Sequence, residues 1–238
     1  MLYILTGEMQ TGKTRWLNKL IENLKVVGIA SYGVITPGIW RKPEAAGGTA
    51  GGVADGVAGE TTDGTASNST DGSVEFEKLG IEALLLPDGI RIPFAWRRDI
   101  AELRGDREKD WQSARAELGW AIPDEALSTV NSYLDVLAAR IEALYQGEHK
   151  EQAKKPGLFV IDELGPLELK KQGGFTSAIQ LLEQGPTRLY QHALIVVRKE
   201  LLDIAANRFL GIWGEQSVVE PDEASRELIF AAFSLSSH

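Results

Sequence analysis

Gly7, Gly12, Lys13 and Thr14 fall in the stretch GEMQTGKT, directly after the apolar run MLYILT. The spacing Gly-x4-Gly-Lys-Thr is that of a loop that wraps phosphates. Glycines let backbone N–H groups face an anion with no Cβ in the way. A helix starting at the lysine adds the positive end of its dipole. The Lys13 ammonium suits the β- and γ-phosphates of a nucleoside triphosphate, and the Thr14 hydroxyl suits Mg²⁺. The candidate nucleotide-binding residues are therefore Gly7, Glu8, Met9, Gln10, Thr11, Gly12, Lys13 and Thr14. Glu8 is the one the chemistry does not explain. An acid in a phosphate cradle is tolerable only if its side chain points away.

A second group lies about 150 residues on, in LFVIDELGPLEL. Four apolar residues lead into Asp162 and Glu163, which places both acids at the C-terminal end of a strand, where parallel sheets build their sites. Asp162 suits Mg²⁺, directly or through water. Glu163 suits a water, to orient or deprotonate it. Glu168 is expected either over the phosphates or facing solvent. Transfer of a phosphoryl group also needs cations for the charge that builds on it. Arg198, ending ALIVVR, is the first candidate and joins Lys13 and Glu163 as a catalytic residue. Arg41, after TPGIW, is a nucleotide-binding candidate, and Arg97-Arg98 a further one. Trp40, Trp96 and Trp213 are large enough to stack on a base, but are expected in the core.

The elements that must position these residues follow from periodicity. Leu2–Thr6 reads as a buried strand. KTRWLNKLIENLK carries Trp16, Leu17, Leu20, Ile21 and Leu24 at helical spacing, with Gly28 as a stop. IASYGVIT reads as the next strand, ended by Pro37 and Gly38, and IEALLLPDGIRIPFAWRR as a hairpin around Pro87-Asp88-Gly89. Arg104–Leu118 is charged and expected as an exposed helix or loop, followed by a short strand in GWAI. A long amphipathic helix starts at Asp124, and GEHKEQAKKPG is a polar linker. Strands in LFVID, HALIVV and QSVVE then alternate with helices over Phe175–Gln184, KELLDIAANRF and the C-terminus. Continuous apolar strands between helices predict a three-layer α/β fold, a mostly parallel sheet covered on both faces, with one hairpin.

Composition narrows the function classes. The 238 residues contain no cysteine and three histidines, so disulfides and thiolate or His-rich metal sites are not expected. A net charge of −9 argues against nucleic acid as the main partner. No apolar run spans a bilayer and no signal peptide is legible, so a cytoplasmic address is expected. Residues 44–73 stand apart. They hold eight glycines, six alanines, five acids and no Lys or Arg. That composition cannot bury enough surface to offset the entropy of ordering, so it predicts a disordered acidic insertion within a single domain spanning 1–238. The insertion offers a protein partner a possible contact. Its NST at Asn68 reads as a chance glycosylation match.

Taken in order, YILTGEMQTGKT, GVITPGIWR, VIDELGPLEL and LIVVRKEL resemble the small P-loop nucleoside-triphosphatases of the thermophile and cancer-related type. DELGPLEL is the most specific piece, and Thr36, Arg41 and LLLPDGIRIPFA fit the family's second strand and hairpin. The resemblance implies a RecA-like sheet and hydrolysis of nucleoside triphosphates to diphosphate and phosphate. It also implies Mg²⁺, low base selectivity, and Glu163 as general base. The acidic insertion and the charged Arg98–Glu117 segment depart from the family's compact pattern. Two other readings share the same motifs: a nucleoside or nucleotide kinase, with arginines 97, 98, 104 and 107 as lid candidates, and a nucleotide-dependent switch or adaptor with slow hydrolysis.

Overall fold

A computed structural model describes residues 1–8, 11–42, 76–105, 111–116, 118–146 and 156–234. Met9, Gln10, the 44–73 insertion, Arg107 and most of the 147–157 linker lie outside the described residues. Among the described residues, no helix is long and apolar enough to cross a membrane.

The sequence folds as a nine-stranded sheet between two helical layers. Strands β1 (Leu2–Leu5), β2 (Ser31–Ile35), β7 (Gly157–Leu164), β8 (Tyr190–Val197) and β9 (Gln216–Val219) form its parallel part, in the order β2-β7-β8-β1-β9. Their side chains alternate between two cores. Leu2, Ile4, Phe159, Ile161, Ala193 and Ile195 face one side, and Tyr3, Leu5, Leu158, Val160, Leu194 and Val196 the other. Helices α4 (Asp124–Gln146) and α6 (Thr176–Gln184) cover the first face with Leu127, Val130, Leu134, Leu137, Ile141, Ile179 and Leu182. Helices α1 (Lys13–Val26) and α8 (Glu223–Ser234) cover the second with Trp16, Leu17, Leu20, Leu24, Ile229 and Phe233. Helix α1 ends at Gly28, whose φ of 78° suits the stop read from the sequence.

The sheet is more mixed than strand–helix alternation predicts. Strands β4 (Glu77–Leu86) and β5 (Ile90–Arg97) form the expected hairpin over Pro87–Gly89, and β4 pairs antiparallel with β2. Strand β6 (Trp120–Ala121) adds to β5. Strand β3 (Gly38–Arg41) begins where Pro37 and Gly38 were expected to end the second strand, and it pairs with β4 beyond the end of β2. Local punctuation at Pro37-Gly38 marks a change of direction, and the pairing that follows is set by a strand beyond the insertion.

The Arg104–Leu118 segment also departs from expectation. Helix α2 (Arg98–Leu103) precedes it, and α3 (Gln112–Arg115) within it is tied to the body of the fold. Ser113 is buried, accepting from the Ile122 N–H and donating to its carbonyl.

Glu168 corrects a sequence expectation in that it does not face solvent. It lies in the short helix α5 (Pro166–Lys170) and is 6% exposed. Its carboxylate accepts from the Gly165 N–H at 2.8 Å and the Phe175 N–H at 3.0 Å, bracketing the turn between α5 and α6. Burial raises its pKa against the pull of those N–H groups. Removing the carboxylate orphans two backbone donors in a dry turn. Glu168→Ala is therefore expected to lose about 2 kcal/mol in urea unfolding, with the m-value unchanged.

Candidate active site

The phosphate loop joins β1 to α1. Gly7 has φ 148° and Gly12 φ 79°, conformations that side-chain-bearing residues rarely adopt, so the glycines set the loop's shape. Gly12 caps α1 without a side-chain hydrogen bond, and the first turn of α1 holds no acid. Its leading N–H groups therefore lack both a capping oxygen and a competing charge, the condition for anion binding at a helix start. The Lys13 ammonium donates to the Gly7 carbonyl at 3.0 Å and the Glu8 carbonyl at 2.7 Å, so it folds back along the loop. Thr11 Oγ1 donates to the same Glu8 carbonyl at 2.9 Å. The Glu8 side chain does point away from the cradle. It is exposed and accepts from Lys199 Nζ at 2.6 Å, an ion pair that lowers the Glu8 pKa and raises that of Lys199.

Asp162 ends the apolar part of β7 and is 2% exposed. Three elements meet on it. The Thr14 hydroxyl donates to its carboxylate from the start of α1. The Thr36 N–H donates to Oδ2 at 3.3 Å from the end of β2, and the Thr36 hydroxyl donates to the Asp162 carbonyl at 2.7 Å. Burial pushes the carboxyl up to about 6, with the Thr36 and Thr14 hydrogen bonds opposing the shift. A dry carboxylate touching the loop threonine is a donor pair that fits Mg²⁺. That ion takes one or two protein oxygens and completes its octahedron with water and phosphate. Among the described residues, no group of three or more His, Cys, Asp or Glu side chains is placed to hold a metal ion.

Glu163, next along β7, is half-buried. It accepts from Arg198 Nε at 2.6 Å. Arg198 directly follows strand β8, which runs between β1 and β7, so this arginine stands between the phosphate loop and the acidic pair. The structure thus gathers Lys13, Thr14, Asp162, Glu163 and Arg198 along one edge of the sheet. Arg41 stands apart: it is exposed on β3, paired with Glu77 at 3.0 Å. Arg97 binds Glu77 and Asp99, Arg98 donates to the Leu118 carbonyl, and Arg104 lies 4.4 Å over the Trp96 ring.

Of the tryptophans, Trp213 is core as expected, 2% exposed with Nε1 donating to the Leu182 carbonyl. Trp96 is half-buried. Trp40 departs from expectation, at 57% exposed on the β3 edge. Sequence reading missed two cations. Lys199 directly follows Arg198, a clue that was available. Lys78 follows the insertion and reaches the electrostatic field of Asp162 and Glu163 only through the pairing of β3 with β4, which no local pattern announces.

No family model and no curated protein matches the chain. Among solved structures, the chain is similar to the solution structure of a human cancer-related nucleoside triphosphatase, with a TM-score of 0.51 and 17% identity. That match covers 100% of this chain and 98% of the other. At this identity the likeness is one of fold alone: the two chains share an α/β architecture.

The acidity of Asp162 carries a sign that can be measured. Its folded pKa lies above the unfolded value of 3.8, so the folded chain binds more protons between pH 4 and 6. Stability without nucleotide or metal should therefore fall as pH rises through that window and stay low above it. Asp162→Asn is expected to make the fall shallower and gain on the order of 2 kcal/mol at pH 7.5, read from urea unfolding between pH 4 and 8; the buried Glu168 keeps a smaller fall of the same sign.

Proposed function

We propose that this protein is a Mg²⁺-dependent nucleoside-triphosphatase, releasing diphosphate and phosphate with little base selectivity. The observation that carries this reading is the contact of Thr14 with the buried Asp162, beside the uncapped start of α1. It joins the two halves of a phosphate and metal site that lie far apart in sequence. The full-length fold likeness to a nucleoside triphosphatase supports it at the level of architecture.

In this reading the α1 N–H groups and Lys13 hold the β- and γ-phosphates, the ammonium exchanging its two loop carbonyls for phosphate oxygens. Thr14 and Asp162 would hold Mg²⁺, which would supply neutralisation of the phosphate charge. Glu163 orients the attacking water and takes its proton. Arg198 turns from Glu163 toward the charge growing on the phosphoryl group. Its ion pair is half-exposed, a class worth about 1 kcal/mol or less, so a triphosphate can displace it. Hydrolysis is favoured over transfer to an acceptor because Glu163, directly beside Asp162, is a carboxylate suited to water as the attacking group.

Phosphate release measured with Mg²⁺ and no added acceptor tests the reading. Wild type is expected to turn over several nucleoside triphosphates. Lys13→Ala should weaken nucleotide binding at least about tenfold, the loss of a charge-assisted contact. Glu163→Gln should bind as wild type yet turn over about 100-fold or more slowly. Release that appears only with an added nucleoside would favour the kinase reading, and normal turnover in Glu163→Gln would remove the base assignment.

A further inference from the structure

Lys78 lies outside the motifs, yet its surroundings are built. It pairs directly with Trp40 across β3 and β4, and its ammonium stands 4.9 Å from the centroid of the Trp120 ring and 6.0 Å from that of Trp40. The stem passes so close over Gly38 that a Cβ there would lie 2.8 Å from Lys78 Cε and 2.8 Å from Trp40 Nε1. Glycine at 38 is what allows the lysine to lie along the strand. Gly38 in turn follows Thr36 and Pro37, and Thr36 is bonded to Asp162 through both its N–H and its hydroxyl. A short rigid path therefore links the metal-side carboxylate to the lysine.

Sheet order sets the direction of approach. Strand β7 carries Asp162 and Glu163, with β8 and then β1 on one side and β2 and then β4 on the other. Lys13 comes from the first side and Lys78 from the second. No ion pair holds Lys78 among the described residues, while both site carboxylates act on it. Burial lowers its pKa, and Asp162 and Glu163 oppose that shift. A partly desolvated ammonium with no paired anion readily takes one up, and the two aromatic faces hold it in place.

We propose that Lys78 is a second phosphate-binding cation, contacting the terminal phosphate of a bound nucleoside triphosphate from the side opposite Lys13. The assignment rests on the nucleotide-site reading above and adds to it a residue that distinguishes triphosphate from diphosphate. The loop and Lys13 grip both nucleotides, whereas a cation beside Glu163 meets only the third phosphate.

Titration calorimetry with Mg²⁺ tests this, using a non-hydrolysable adenosine triphosphate analogue and adenosine diphosphate. Lys78→Met keeps the stem between the rings and removes the charge. It is expected to weaken the triphosphate analogue about 10- to 100-fold, the range for one charge-assisted contact, and to change diphosphate binding less than about twofold. Lys78→Arg should restore most of the triphosphate affinity. Gly38→Ala, which displaces the lysine while leaving its charge in the chain, should show the same selective loss and serves if Lys78→Met does not fold. Equal loss for both nucleotides, or no loss for either, would overturn the assignment while leaving the nucleotide site standing. Wild type that binds neither nucleotide would overturn both readings.

Discussion

A carboxylate in the dry interior has to be held, and the way Asp162 is held organises the site. Strand β7 runs through the middle of the sheet, flanked by β2 and β8 and covered on both faces. The first oxygen-bearing side chain at its C-terminal end is therefore buried whether or not that suits it. Thr14 and Thr36 supply its hydrogen bonds, and in doing so they fasten the start of α1 and the end of β2 to one atom group. A shift of the phosphate loop against the acidic pair would cost that carboxylate its Thr14 hydrogen bond. Two motifs far apart in the chain become one site through this contact.

Around that fixed point the charges are paired loosely. Lys13 donates to loop carbonyls, Arg198 to Glu163 and Lys199 to Glu8. These are contacts of modest strength between groups that keep solvent exposure, and each can be traded for a phosphate oxygen at small cost. The buried part of the site is rigid and the exposed part is exchangeable. That division suits a reaction whose catalysis consists of positioning and charge stabilisation rather than covalent chemistry by the protein.

How much of this was legible in the sequence depended on the range of the interaction. The phosphate loop, its strand and its helix were readable because Gly7, Gly12, Lys13 and the Trp16–Leu24 periodicity are local. The parallel core was readable because strands buried on both faces are continuously apolar. Three features were not, each for a physical reason. Strand β3 exists because β4, on the far side of the insertion, offers it a partner. Glu168 was expected over the phosphates or in solvent because nothing near it in sequence shows that the Gly165 and Phe175 N–H groups need an acceptor. Arg41 reads as a nucleotide-binding candidate from its place after TPGIW, and nothing near it in sequence shows that Glu77, beyond the insertion, pairs with its guanidinium. Met9, Gln10 and the acidic insertion lie outside the described residues.

The most direct test of the account is a crystal structure of the protein with Mg²⁺ and a non-hydrolysable nucleoside triphosphate. The account predicts phosphates at the start of α1, Lys13 moved from the Gly7 and Glu8 carbonyls onto phosphate oxygens, and Mg²⁺ against Thr14 and Asp162. It also predicts Glu163 released from Arg198 and facing the terminal phosphate. A nucleotide bound away from this loop would contradict it. So would a triphosphate in the loop with the Arg198–Glu163 pair intact and Glu163 turned from the phosphate.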